Sequence, residues 1–112
     1  MKVELETGEI GNVSTEYIFD CEVESTVQIH IIKPDGTGYF EKGIVKYIFL
    51  EDGEIYETKS RGKVLIKKCA HINRFAVDKW IDIASTNTSE LWTEKGEAYH
   101  YDCGYNIVKK II

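Results

Sequence analysis

The 112-residue chain has one proline, two arginines and one methionine, and its longest uninterrupted apolar run is the four residues Tyr47 to Leu50. A membrane-spanning helix needs about 20 apolar residues in succession, so none is expected. Met1 to Ile10 alternates charged and apolar residues without a basic segment followed by an apolar one, which predicts no secretory signal. Three cysteines are an odd number at spacings that fit no disulfide framework, so reduced thiols and a cytoplasmic setting are expected. Arginine is the usual bidentate reader of guanine and phosphate, and a chain with only Arg61 and Arg74 is poorly equipped for sequence-specific nucleic-acid recognition. The twelve lysines and fifteen isoleucines point to AT-rich coding and hence a bacterial, phage or other mobile-element source.

What is present is a globular composition. With 43% hydrophobic residues and a net charge of −5, the chain lies far from the regime of disorder. Its length suits one hydrophobic core, so residues 1–112 read as a single domain. Strand periodicity dominates residues 1–68. Lys2 to Glu6 alternates, and in Glu16 to Glu24 the residues Tyr17, Phe19, Cys21 and Val23 share a face against Glu16, Asp20, Glu22 and Glu24. Val27, Ile29 and Ile31 form a further strand that stops at the turn Pro34-Asp35-Gly36, and others follow at 44–50, 55–59 and 63–68. Asp52-Gly53 suits a two-residue hairpin joining 44–50 to 55–59. The motif Asp-Gly-x-x-Tyr at Asp35 and Asp52 repeats turn chemistry without a third copy.

Beyond residue 70 the period changes. Ile72, Ala76, Trp80 and Ile83 recur at helical spacing, which predicts an amphipathic helix over 73–84 within 70–85. Glu97 to Tyr101 and Tyr105 to Ile111 read as a C-terminal hairpin, 97–111, around Asp102-Cys103-Gly104. The expected fold class is therefore α+β: an antiparallel meander of about five strands, one helix and a closing hairpin.

Parity places candidate chemistry. Pairing 16–24 with 27–31 through a three-residue turn sets Asp20 opposite His30, a base with an orienting carboxylate or, more plainly, a solvated cross-strand pair. The Asp52-Gly53 hairpin sets Glu57 between Ile48 and Ile66, either as a desolvated acid or paired with Lys46 and Lys68. Cys69, His71, His100 and Cys103 supply a zinc donor set in kind, although Cys69-Ala-His71 is an awkward knuckle and burial of incidental Cys and His is the alternative. No phosphate-binding glycine loop is present, Cys21 lies on an apolar face, and no cofactor is expected.

Charge is uneven: residues 1–60 hold thirteen acids and five bases, and residues 61–112 six acids and nine bases. The acidic strand face of Glu16, Asp20, Glu22 and Glu24 suits a basic partner surface, and Tyr99, Tyr101 and Tyr105 offer aromatic contact area for a protein partner or a homodimer. The alternatives are a solvated strand face and a core cluster packed on Trp80. The function expected is a non-catalytic protein-binding protein of inhibitor, immunity or adaptor type. A ligand-binding domain or enzyme using His30 and Asp20, or a Cys/His metal site, is the alternative.

Overall fold

The computed structural model describes residues 1–69, 79–82, 91–98 and 103–112. They form two compact units, Met1–Phe49 and Leu50–Ile112. Every strand pairing is antiparallel, and among the described residues there is no α-helix and no helix long and apolar enough to cross a membrane. The expected α+β class is thereby corrected to β.

Unit 1 is a closed barrel of β1 (Lys2–Leu5), β2 (Ile10–Val13), β3 (Thr26–Ile32) and β4 (Gly38–Ile48). The long strand β4 serves two neighbours: residues 38–44 pair with β3, and 45–48 return to β1. Val3, Leu5, Val13, Val27, Ile29, Val45 and Ile48 are buried, as is Cys21.

Closure explains two corrections to the expected meander. The segment Glu16 to Glu24 alternates as a strand does, but β3 already has β2 on one edge and β4 on the other. With both edges of β3 taken, the segment forms a 3-10 turn at Thr15–Tyr17, a single bridge residue at Glu22 and further turns, which leave Phe19 70% exposed and bury Cys21. The Asp52-Gly53 hairpin is absent for the same reason, because β1 and β3 occupy the edges of β4. Gly53 instead takes φ 80° and donates its N–H to the Ile66 carbonyl at 2.9 Å. Glycine adopts that left-handed conformation without steric cost.

The turn entering β3 holds Glu24 at φ 76°, where a side chain is disfavoured. It is pinned by the Glu24 N–H donating to the Val45 carbonyl at 2.8 Å and the Val45 N–H donating to the Ser25 carbonyl at 2.9 Å. A left-handed residue other than glycine costs about 1–2 kcal/mol, and glycine's extra unfolded-state freedom takes back about 0.5–1 kcal/mol. Glu24→Gly is therefore expected to raise stability by about 0.5 kcal/mol, read as a higher urea midpoint at unchanged slope.

Unit 2 is a five-stranded sheet in the order β8-β7-β6-β5-β9. Its strands are β5 (Ile55–Thr58), β6 (Lys63–Cys69), β7 (Lys79–Asp82), β8 (Leu91–Trp92) and β9 (Ile107–Lys110). The core contains Leu50, Tyr56, Val64, Ile66, Trp92 and Ile107.

Here too an open edge decides. β5 occupies one side of β6, and the other side is paired by Lys79–Asp82, from Ile66 opposite Asp82 to Cys69 opposite Lys79. The expected helix over 73–84 is thus replaced by a strand at 79–82, while 73–78 and 83–84 lie outside the described residues. Lys-Trp-Ile-Asp fits a strand as well as a helix turn, and ladder bonds to an unpaired edge outweigh weak local propensity. The C-terminal hairpin is corrected as well. β9 pairs with the free edge of β5, placing Lys109 opposite Glu57 and Lys110 opposite Tyr56. Of its expected partner strand, Ala98 bridges to Trp92 and residues 99–101 lie outside the described residues.

Tyr56 is fully buried, and its hydroxyl accepts the Glu51 N–H at 2.7 Å. Burial, with the nearby carboxylates of Glu51 and Glu54, pushes the phenol well above its ordinary value of 10.0. A raised folded-state pKa gives stability that is complete below the unfolded value and declines as pH rises past it. Tyr56→Phe is expected to cost about 1–2 kcal/mol at neutral pH by leaving the Glu51 amide without its acceptor. In urea titrations the gap between the two proteins should close between about pH 10 and 12; a gap that stays constant there would show that the phenol ionises equally in both states.

Candidate functional site

On β2, β3 and β4 the antiparallel register aligns Asn12, His30 and Phe40 in one row across three strands. Residues directly opposite share a face, so the row stands on one side of the barrel wall. The rings of His30 and Phe40 stack with centroids 4.9 Å apart and planes 25° from parallel. The imidazole also lies over Gly38, where a β-carbon would collide with its Nε2. A bare backbone on one side and an aromatic ring on the other hold the His30 side chain in place.

Beyond β2 the chain turns along this row. Ser14 donates its N–H to the Gln28 carbonyl at 2.9 Å and enters the 3-10 turn at Thr15–Tyr17. Asn12, Val13, Ser14, Thr15, Glu16, His30 and Phe40 line an open cleft of about 370 Å³. The Ser14 hydroxyl is buried and has no hydrogen-bond partner, and it does not cap the turn that it precedes. Phe40 remains 62% exposed, which leaves much of its ring available beside the cleft.

His30 and Asp20 are not brought together as a cross-strand pair, because the strand that was to carry Asp20 does not exist and His30 faces Asn12 and Phe40. Glu57 sits between Lys63 and Lys109 in the ladder, exposed, rather than between Ile48 and Ile66. Glu16, Asp20, Glu22 and Glu24 are all exposed, on turns and, for Glu22, a single bridge residue rather than along a strand face, and Glu16 lines the cleft. Tyr105 packs edge-on to Trp92 with centroids 6.2 Å apart, and the Arg61 guanidinium stands 5.7 Å from its ring centre. Tyr99, Tyr101, His71 and His100 lie outside the described residues. Cys69 falls in β6 and Cys103 in a 3-10 turn. Among the described residues no group of three or more His, Cys, Asp or Glu is arranged to hold a metal ion.

The unit boundary relocates the charge. Residues 1–49 carry nine acids and four lysines, net −5, whereas residues 50–112 carry ten acids and ten bases. The whole net charge of the chain therefore belongs to unit 1. Each of its four lysines lies over an aromatic ring of the same unit: Lys2 over Phe49, Lys33 over Tyr39, Lys42 over Tyr17 and Lys46 over Tyr47, at 4.6 to 5.9 Å from the ring centres. Among the described residues no ion pair engages the side chains of Glu16, Asp20, Glu22 or Glu24.

Ile10, Phe19, Ile32, Tyr39, Phe40 and Ile44 are the exposed large apolar residues of unit 1, against Ile55 and Ile112 among the described residues of unit 2. Asn12 and Ser14 carry no strand signal in the sequence, because β2 is short and Gly11 breaks its alternation. The exchange of Asp20 for Phe40 as the neighbour of His30 follows from a strand beginning at Gly38 instead of Ile44.

No protein family, curated protein or solved structure matches the chain.

Proposed function

We propose that the chain is a non-catalytic protein-binding protein, of the inhibitor or adaptor kind, that engages a basic partner surface through unit 1. The observation that carries this reading is the coincidence, on one small barrel, of six exposed large apolar side chains with the entire net charge of the chain. Large exposed apolar side chains beside charge suit an interaction surface, and the carboxylates of Glu16, Asp20, Glu22 and Glu24, which no ion pair engages among the described residues, steer a basic surface to it. The acid–base alternative has less under it, because the ladder sets His30 opposite an amide and a phenyl ring and does not bring Asp20 to it.

The test is affinity capture from an extract of the encoding cell with the wild-type chain, with Phe19→Ser/Ile32→Ser and with Asp20→Lys/Glu22→Lys. All four positions are exposed, so the folds should be retained, which circular dichroism checks. The reading expects one predominant protein that is retained by the wild type, released as salt rises, and lost from both double variants. Equal capture by all three chains, or none by the wild type, would overturn it.

A further inference from the structure

We propose that the cleft formed by Asn12, Ser14, Thr15, Glu16, His30 and Phe40 receives an arginine side chain of the partner protein; this rests on the protein-binding reading above. An arginine needs a carboxylate for its charge, acceptors for its remaining N–H groups, and a flat apolar surface for its plane. The cleft supplies one of each. Glu16 lines it, and among the described residues no ion pair engages that carboxylate. Ser14 is among the residues lining the cleft, and its hydroxyl is buried without a partner, a cost that an N–H group reaching it would remove. Asn12 adds an amide oxygen on the row that it shares with His30. Phe40 also lines the cleft and is 62% exposed, with one face of its ring taken by the His30 stack, and so supplies aromatic surface beside the carboxylate.

The other candidate cations are already placed. Lys42, the nearest lysine along β4, lies over Tyr17 at 5.9 Å from the ring centre and is not among the residues lining the cleft. A lysine from the partner would meet the same carboxylate, but its ammonium lacks the plane that stacks and the fork that reaches two acceptors together. An anionic side chain would be repelled by Glu16, and a purely apolar one would leave Ser14 unsatisfied. The arrangement thus selects within the basic residues as well as for them.

The probe is a blocked Gly-Arg-Gly peptide, with lysine and citrulline counterparts, titrated into the full 15N-labelled chain and followed by amide and side-chain NMR shifts. The arginine peptide is expected to saturate shifts at Ser14, Thr15, Glu16 and the Asn12 side-chain amide, and the lysine peptide to bind about fivefold more weakly. The citrulline peptide, isosteric but uncharged, should not saturate. Glu16→Gln should weaken the arginine peptide about tenfold at unchanged melting temperature. Shifts at other acidic residues but not in the cleft, equal binding of arginine and citrulline peptides, or no effect of Glu16→Gln would overturn the proposal. If the partner is captured and is lost from the Phe19→Ser/Ile32→Ser chain while the peptide fails, the protein-binding reading stands and the arginine pocket falls. If the peptide behaves as described while capture fails, the pocket stands and the broader surface falls.

Discussion

Trp92→Ala is expected to remove about 3–5 kcal/mol of stability, the range for truncating a large buried aromatic residue. Trp92 is the largest fully buried side chain among the described residues. It stands on β8, whose two residues pair only with β7 inside the sheet, so its indole anchors a strand too short to hold by ladder bonds alone. The indole N–H donates to the Tyr105 carbonyl at 2.8 Å, while the Tyr105 ring meets it edge-on. Its backbone also bridges to Ala98. Truncation therefore leaves a cavity, an unsatisfied carbonyl and a Tyr105 ring without its neighbour. Trp92→Phe keeps much of the volume but not the donor, and should cost less than the alanine variant by the larger part of the cavity term. Urea unfolding followed by circular dichroism reads both. A loss below about 1 kcal/mol for Trp92→Ala would mean that the site collapses around the missing ring.

Alternation did mark strands where the chain has them at Lys2–Leu5, Thr26–Ile32, Ile55–Thr58 and Lys63–Cys69. It failed where pairing partners, rather than local pattern, decide. Tyr17, Phe19, Cys21 and Val23 satisfy the strand pattern as well as any segment does, yet both edges of β3 are taken and only Cys21 of the four is buried. Trp80 fits a helix by spacing, and its segment is drawn into a strand by the open edge of β6. Edge occupancy is a property of the assembled sheet, and no window of residues contains it.

The same limit shaped the site. His30 was recognisable as a candidate because it stands on the polar side of an alternating strand, but its neighbours were assigned through a hairpin that barrel closure forbids. By pattern Glu16 belongs to a strand face; in the structure it is one wall of a cleft that Ser14 and Phe40 also line. The acidic balance is legible as a total, but a cut at residue 60 misplaces it. At the boundary between Phe49 and Leu50 the second unit is neutral and the barrel carries all of the −5.

Gly11→Val is expected to cost about 3 kcal/mol or more, combining overpacking with a lost close approach of two strands. Gly11 is buried in β2 opposite Val3 of β1. A β-carbon built there would stand 2.6 Å from the His30 carbonyl oxygen and 3.1 Å from Ile31 Cγ1. The first of these is backbone of the neighbouring strand, so no side-chain rotation relieves the clash, and β2 and β3 must separate. Valine adds two branch atoms to the same space, whereas Gly11→Ala adds one carbon and should cost less. The effect differs from that of an ordinary core variant because the strands forced apart are those that align Asn12 with His30. Gly11→Ala is therefore expected to lower the urea midpoint and, in the chain that remains folded, to shift the amide resonances of Ser14 and Thr15 more than those of the β3–β4 turn at Asp35. A variant as stable as the wild type would show that β2 can move away from β3 without loss, and that the row across the barrel wall is not fixed by the glycine.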